Sequence, residues 1–139
     1  MKELPKIKFT NWVKWKNRKE IKNSDKAGVY ILAKFKDAPE EEADFLDKNI
    51  IYVGETCNNS LKGRWYQFDR SAFQSKDGHS GGWSYNDEFG DSGDDLYVAA
   101  LDTQDIPNEI RHLFIRFVER KVILDFALKN GSKPKLNKK

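Results

Sequence analysis

The sequence predicts an α+β domain, a small three-stranded antiparallel sheet flanked by helices. Runs rich in β-branched and aromatic residues stand at GVYILAKF (28–35), NIIYVGE (49–55) and DLYVAALD (95–102), the composition of strands. Apolar groups at 61, 65, 68, 72 and 73 recur at helical spacing, and a long apolar-rich segment at 106–129 closes on Asn130-Gly131, a pair suited to a left-handed helix cap. With 139 residues there is room for one core and not for two ordinary domains.

Taken in order, residues 1–27 form a basic N-terminal extension, in which TNWVKWKNRKEI (10–21) reads as a short amphipathic helix with Thr10 as its cap. The turn signal NSDKAG precedes the first strand. The acidic stretch DAPEEEADFLDKN then connects to the second strand and is long enough for a helical turn. Strands joined in this way are expected to pair antiparallel. From Ser60 a helix runs to about residue 75, and residues 76–95, crowded with Gly, Ser, Asp and Asn, are expected to be mostly loop. The third strand follows, then a helix with Pro107 in its first turn, then the Lys-rich tail SKPKLNKK. Residues 28–139 are thus the domain proper.

Composition narrows the function. No apolar run approaches the length of a membrane span, and MKELPKIKF lacks the apolar centre of a signal peptide, so a cytoplasmic location is expected and a membrane partner is not. A single cysteine, Cys57, with only His79 and His112 beside it, argues against a zinc site of the usual kind and leaves a hard, oxygen-held ion as the metal to consider. The net charge of +3 is unevenly spread: residues 1–36 carry eleven Lys or Arg against three acids, and 129–139 carry five Lys and no acid. Basic ends with interleaved aromatics suit a polyanionic partner, although a solvated basic surface reads the same way.

Glu119 stands in an apolar stripe with Ile115, Val122, Ile123 and Phe126. A carboxylate there must find a cationic partner such as Arg116 or Arg120, take up a proton, or bind a cation. Tyr30 and Tyr52 each lie beside a glycine, in GVY and YVG, and either alone is an ordinary strand aromatic. Gly54 is expected to break its strand just before Glu55 and Thr56 and to let a ligand come close. Arg64, one turn into the following helix, is suited to a bidentate grip on phosphate.

GVY at 28–30, YVG at 52–54, Arg64 in LKGRW, Glu119 in RFVERKVI and Asn137 in PKLN together resemble the GIY-YIG nuclease family, over about residues 28 to 137. The resemblance implies a metal-dependent endonuclease that hydrolyses DNA phosphodiesters in repair, restriction or mobile-element biology. In that reading Glu119 holds a single Mg²⁺ or Mn²⁺ and Arg64 neutralises the scissile phosphate. Tyr30 helps to activate the attacking water, Tyr52 is its partner at the phosphate, and Asn137 completes the site. The partner is DNA, and a homodimer is compatible with cutting both strands. Trp12, Trp15 and Arg18, with Lys62, Arg70 and Lys135, are the expected nucleic-acid contacts. The position one turn after the arginine often holds His or Tyr in the family and here is Phe68. Tyr66 or His79 is a candidate for the polar group, and a solvated loop histidine is the plainer reading of His79. Phe68 also motivates an alternative: a nucleic-acid-binding module of the same fold that cleaves poorly or not at all.

Overall fold

A computed structural model describes residues 3–138. In chain order the elements are β1 (Val13–Lys14), a 3₁₀ turn (Trp15–Glu20), β2 (Gly28–Lys34), β3 (Ile50–Thr56), α1 (Leu61–Gln74), α2 (Ser80–Glu88), β4 (Leu96–Ala100), a 3₁₀ turn (Asn108–Ile110) and α3 (Arg111–Asn130). The sheet has four strands in the order β1-β4-β2-β3, all pairs antiparallel. The α+β class and the three expected strands are present, and the fourth strand is the short β1. Its residues fall inside the segment expected to be helical. Thr10 is not a helix cap: its hydroxyl accepts a hydrogen bond from the Ala100 amide at 3.1 Å and its own amide donates to the Ala100 carbonyl at 2.9 Å. The sheet edge claims this backbone before a helix can form.

The sheet is the middle of three layers, and strand alternation sorts its side chains. Val29, Ile31 and Ala33 of β2 point to α3, where Phe114, Ile115, Val118, Val122 and Phe126 meet them. Tyr30 and Leu32 point to the other face, against Trp65, Phe68 and Ala72 of α1 and Tyr85 of α2. Phe9 and Trp12 belong to the α3-side core, and Trp15 to the other. The N-terminal segment is therefore built into the same domain. It supplies core to both faces and a strand to the sheet.

Between Leu32 and Ala33 the β2–β3 register shifts: Leu32 opposes Tyr52 and Ala33 opposes Ile50, so Ile51 is an extra residue. This bulge breaks the alternation, so that the adjacent Ile51 and Tyr52 both serve the α1-side core while Ile50 and Val53 serve the α3 side. Gly54 does not break the strand. It lies within β3, directly opposite Tyr30, and a Cβ there would come within 2.4 Å of Tyr30 Cζ. The glycine makes room for the tyrosine ring to lie across the neighbouring strand.

The largest difference from expectation is α2, which occupies residues expected to be loop. Its glycines are contact residues: a Cβ on Gly82 would stand 2.6 Å from the Phe68 carbonyl oxygen, and one on Gly81 2.8 Å from Tyr52 Cζ. They allow α2 to approach α1 and the sheet closely, and tertiary packing overrides their low helix propensity. The α3 helix begins at Arg111, later than expected. Pro107 precedes a 3₁₀ turn instead of opening the helix itself. Its C-terminus is as expected, with Gly131 at φ +90° donating its amide to Ala127 at 2.9 Å. Among the described residues no helix is long and apolar enough to cross a membrane.

Because the space over Gly54 is filled by Tyr30, Gly54→Ala is expected to lower stability by about 1–3 kcal/mol, the usual range for overpacking. Urea unfolding measures it, and an unchanged midpoint would refute this account of the glycine.

Candidate active site

The strand β3 is an edge of the sheet, and half of that edge is sealed by the C-terminal tail. The Leu136 amide donates to the Ile51 carbonyl at 2.8 Å. Asn137 then turns its side-chain amide to Val53: Oδ1 accepts from the Val53 amide and Nδ2 donates to the Val53 carbonyl, both at 2.9 Å. It pairs an edge strand as a neighbouring backbone would. Beside it lies a cleft of about 370 Å³, lined by Tyr52, Gly81, Ser84, Glu119, Ile123 and Asn137 among others. The N-terminus of α2 forms one wall and α3 the other.

On the α1 side of the edge, Tyr30 is fully buried, and its hydroxyl lies 2.9 Å from His79 Nε2. Tyr52 is its ring neighbour, with centroids 6.0 Å apart. His79 is 3% exposed, which removes the solvated-loop reading. It is also the N-cap of α2: Nδ1 accepts from the Gly81 amide at 2.9 Å and more weakly from Gly82 at 3.3 Å. Two amides aimed at Nδ1 leave no room for a proton there, so a neutral ring carries its hydrogen on Nε2 and donates it to Tyr30. Burial, reinforced by the Arg64 charge, holds the imidazole pKa down at about 3.

Arg64 projects from the first turns of α1, whose N-cap Ser60 accepts from the Gly63 amide. Its guanidinium donates to Gln67 Oε1 at 2.8 Å, and among the described residues no carboxylate pairs with it. Burial and Tyr52 push the Tyr30 pKa well above its ordinary value, while Arg64 pulls it down. Burial likewise raises Tyr52, again opposed by Arg64. Both tyrosines are therefore protonated at neutral pH, and Arg64 is the nearby positive charge that favours their ionised forms.

Across the edge, Glu119 is half-buried at the cleft. Burial raises its carboxyl pKa, and Glu55 adds to the shift. Its ion pair is with Arg120 at 3.7 Å, whose side chain is 62% exposed. Such a pair compensates a partly buried carboxylate weakly. An under-compensated carboxylate fits a hard cation. Among the described residues no three His, Cys, Asp or Glu converge as a metal cluster, so an ion held at Glu119 would have few protein ligands and would keep most of its water.

The structure thus brings Tyr30, Tyr52, Arg64 and His79 together on one side of the β3 edge, with Glu119 and Asn137 at the adjoining cleft. Tyr66 stands apart, 57% exposed and partnered by Arg70, whose guanidinium lies 6.0 Å from its ring. The expected nucleic-acid contacts divide. Trp12 packs edge-on against Phe35, and Trp15 packs against Phe68 and bonds Asp69 through Nε1 at 2.8 Å. With exposures of 8% and 5% neither ring can stack on a base. Arg18 lies over Trp15 and near Asp69. Lys62 is exposed, and Lys135 pairs with Glu88 at 2.8 Å. No protein-family model, curated protein or solved structure matches this chain.

The neutral, buried His79 carries a pH signature. An unfolded imidazole titrates near its ordinary value of about 6.5, while the folded one waits until about 3. Between these values the unfolded chain binds the extra proton, so stability is full above the window and falls as pH drops through it. At about pH 4.5 the loss is roughly 3 kcal/mol. Comparing urea unfolding at pH 7 and 4.5, His79→Asn should lose less than the wild type by about that amount. Equal losses would refute the buried neutral imidazole.

Proposed function

We propose that this chain is a Mg²⁺- or Mn²⁺-dependent endonuclease of the GIY-YIG kind, hydrolysing DNA phosphodiester bonds. The observation that carries the reading is the unpaired Arg64 guanidinium beside the Tyr30–Tyr52 pair on one side of an edge strand, with the under-compensated Glu119 carboxylate in the adjoining cleft. The two charged groups match the two needs of phosphodiester hydrolysis. One is a cationic grip on the phosphate, and the other is an anchor for a divalent ion that neutralises developing charge.

In this scheme Glu119 holds the ion, which supplies positive charge to the phosphate. Arg64 binds and orients the phosphate oxygens in its planar fork. Tyr30 orients the attacking water through its hydroxyl, with Tyr52 beside it. Asn137 supports the cleft wall through the Val53 backbone, which takes one of its two Nδ2 hydrogens and one of the two lone pairs on Oδ1. Exposed lysines such as Lys62, with Arg70 and Lys135, supply phosphate contacts to the flanking duplex. Since both N-terminal tryptophans are buried, base contacts have no aromatic platform there.

One observation favours the alternative, a binding module without cleavage: Tyr30 is fully buried and its hydroxyl pKa is raised, which makes it a poor base as it stands. Supercoiled plasmid in Mg²⁺, Mn²⁺ or EDTA separates the two. The nuclease reading expects metal-dependent nicking that Glu119→Ala reduces by about 100-fold or more, while DNA binding in a gel shift changes only a few-fold. Retardation of DNA without cutting by the wild type would instead establish the binding module. In both cases affinity should fall steeply between low and physiological salt, and a flat profile would count against a phosphate footprint.

A further inference from the structure

His79 caps α2, a task that Ser, Thr, Asp or Asn performs in most helices with a single acceptor atom. An imidazole brings a second nitrogen, on the opposite side of the ring, and here that nitrogen meets the buried Tyr30 hydroxyl at 2.9 Å. The ring is held in this pose from several directions. Phe68 packs edge-on at 5.3 Å between centroids and Tyr52 at 5.7 Å. The His79 amide donates to Ser71 Oγ at 3.0 Å, and that hydroxyl donates to the Lys76 carbonyl at 2.8 Å, fastening the approach to α2 onto α1. A Cβ at position 81 would stand 2.9 Å from His79 Cε1, so the following glycine is fitted to the ring as well.

We propose that His79 is a positioning residue for Tyr30: its Nε2–H donates to the phenol oxygen, so that the phenol's own proton points away from α2. This role rests on the nuclease reading above. A hydroxyl with one acceptor direction already filled has its O–H orientation fixed, and a fixed orientation is what a group aligning an attacking water requires. Phe68, at the α1 position where the family resemblance implies a polar side chain, serves as a wall for the imidazole. The polar group arrives instead from α2, on the far side of the same tyrosine.

Two substitutions separate the two nitrogens. His79→Asn keeps an acceptor near Nδ1 and so keeps the cap, but loses the donor to Tyr30. His79→Gln places an amide donor near Nε2 and gives up the cap. The expected result is that His79→Asn stays folded at neutral pH, melting somewhat lower because the buried phenol loses its partner, and nicks plasmid with kcat lowered about 10- to 100-fold and KM for DNA unchanged. His79→Gln should recover most of kcat while melting at a lower temperature. Long-range ¹H–¹⁵N NMR of the wild type, with the His79 signal assigned by its loss in His79→Asn, should show a neutral ring protonated on Nε2. A proton on Nδ1, wild-type kcat in His79→Asn, or no advantage of Gln over Asn would each overturn the role while leaving the nuclease reading intact. A wild type that cuts nothing in either metal overturns the nuclease reading and this role with it.

Discussion

The buried hydrogen bond between Tyr30 and His79 is the constraint around which the α1 side of this molecule is arranged. A phenol hydroxyl at zero exposure needs a partner, because leaving it unpaired costs about 1–3 kcal/mol. The backbone of β2 cannot supply one, since its groups are committed to the ladders with β3 and β4. The partner comes from α2, and this sets where α2 must begin, which nitrogen of His79 faces the helix and why small residues follow it. Gly54 answers the same demand from the strand side by clearing space for the ring. Two glycines, one histidine and one tyrosine, distant in sequence, are parts of one packing solution.

That solution has an electrostatic consequence. Burial opposes ionisation of Tyr30, Tyr52 and His79 alike, so the cluster is neutral at neutral pH, and Arg64 and Glu55 are nearby charges that make no ion pair among the described residues. The Arg64 guanidinium is the one of the two suited to grip an anion. Glu119 presents the opposite field at the adjoining cleft, held back only by an exposed Arg120. Both charges act on the same pair of phenols: Arg64 favours ionisation of Tyr30 and Tyr52, and Glu119 opposes it. Asn137 occupies the Val53 backbone on the open side of β3.

Strands β2, β3 and β4, α1 and the end of α3 were legible in the sequence because each carries its own periodic pattern and punctuation. The β1 strand was not, since two residues give no period and the three-residue spacing of Trp12 and Trp15 around them imitates a helix. For α2 the obstacle was different. Its Gly-Gly and Ser content is a loop signature when intrinsic propensity decides, but here those residues are small because neighbouring elements approach closely, a fact held in other parts of the chain. Tyr30, Tyr52, Arg64 and Glu119 could be singled out because each stands at an element position with its own local oddity. The tryptophans misled because aromatics interleaved with lysines look alike whether the rings face solvent or core. Trp15 faces the core because Phe68 and Trp65 wait for it there.

The burial of Phe68 explains why the polar partner of Tyr30 comes from α2 and not from α1. A polar group on α1 one turn past Arg64 would lie under α2 in this fold, since Phe68 is fully buried and touches both Tyr85 and His79. A charge or hydroxyl there would be desolvated by the very helix that residues 80–88 form. An aromatic ring suits that position better, because it packs against α2 and presents its edge to the imidazole. Once α2 covers the cluster, the only polar atom that can reach Tyr30 from that direction is one the helix brings with it. A histidine at the helix N-cap is the economical choice: the same side chain satisfies the amides of the first turn with one nitrogen and the buried phenol with the other.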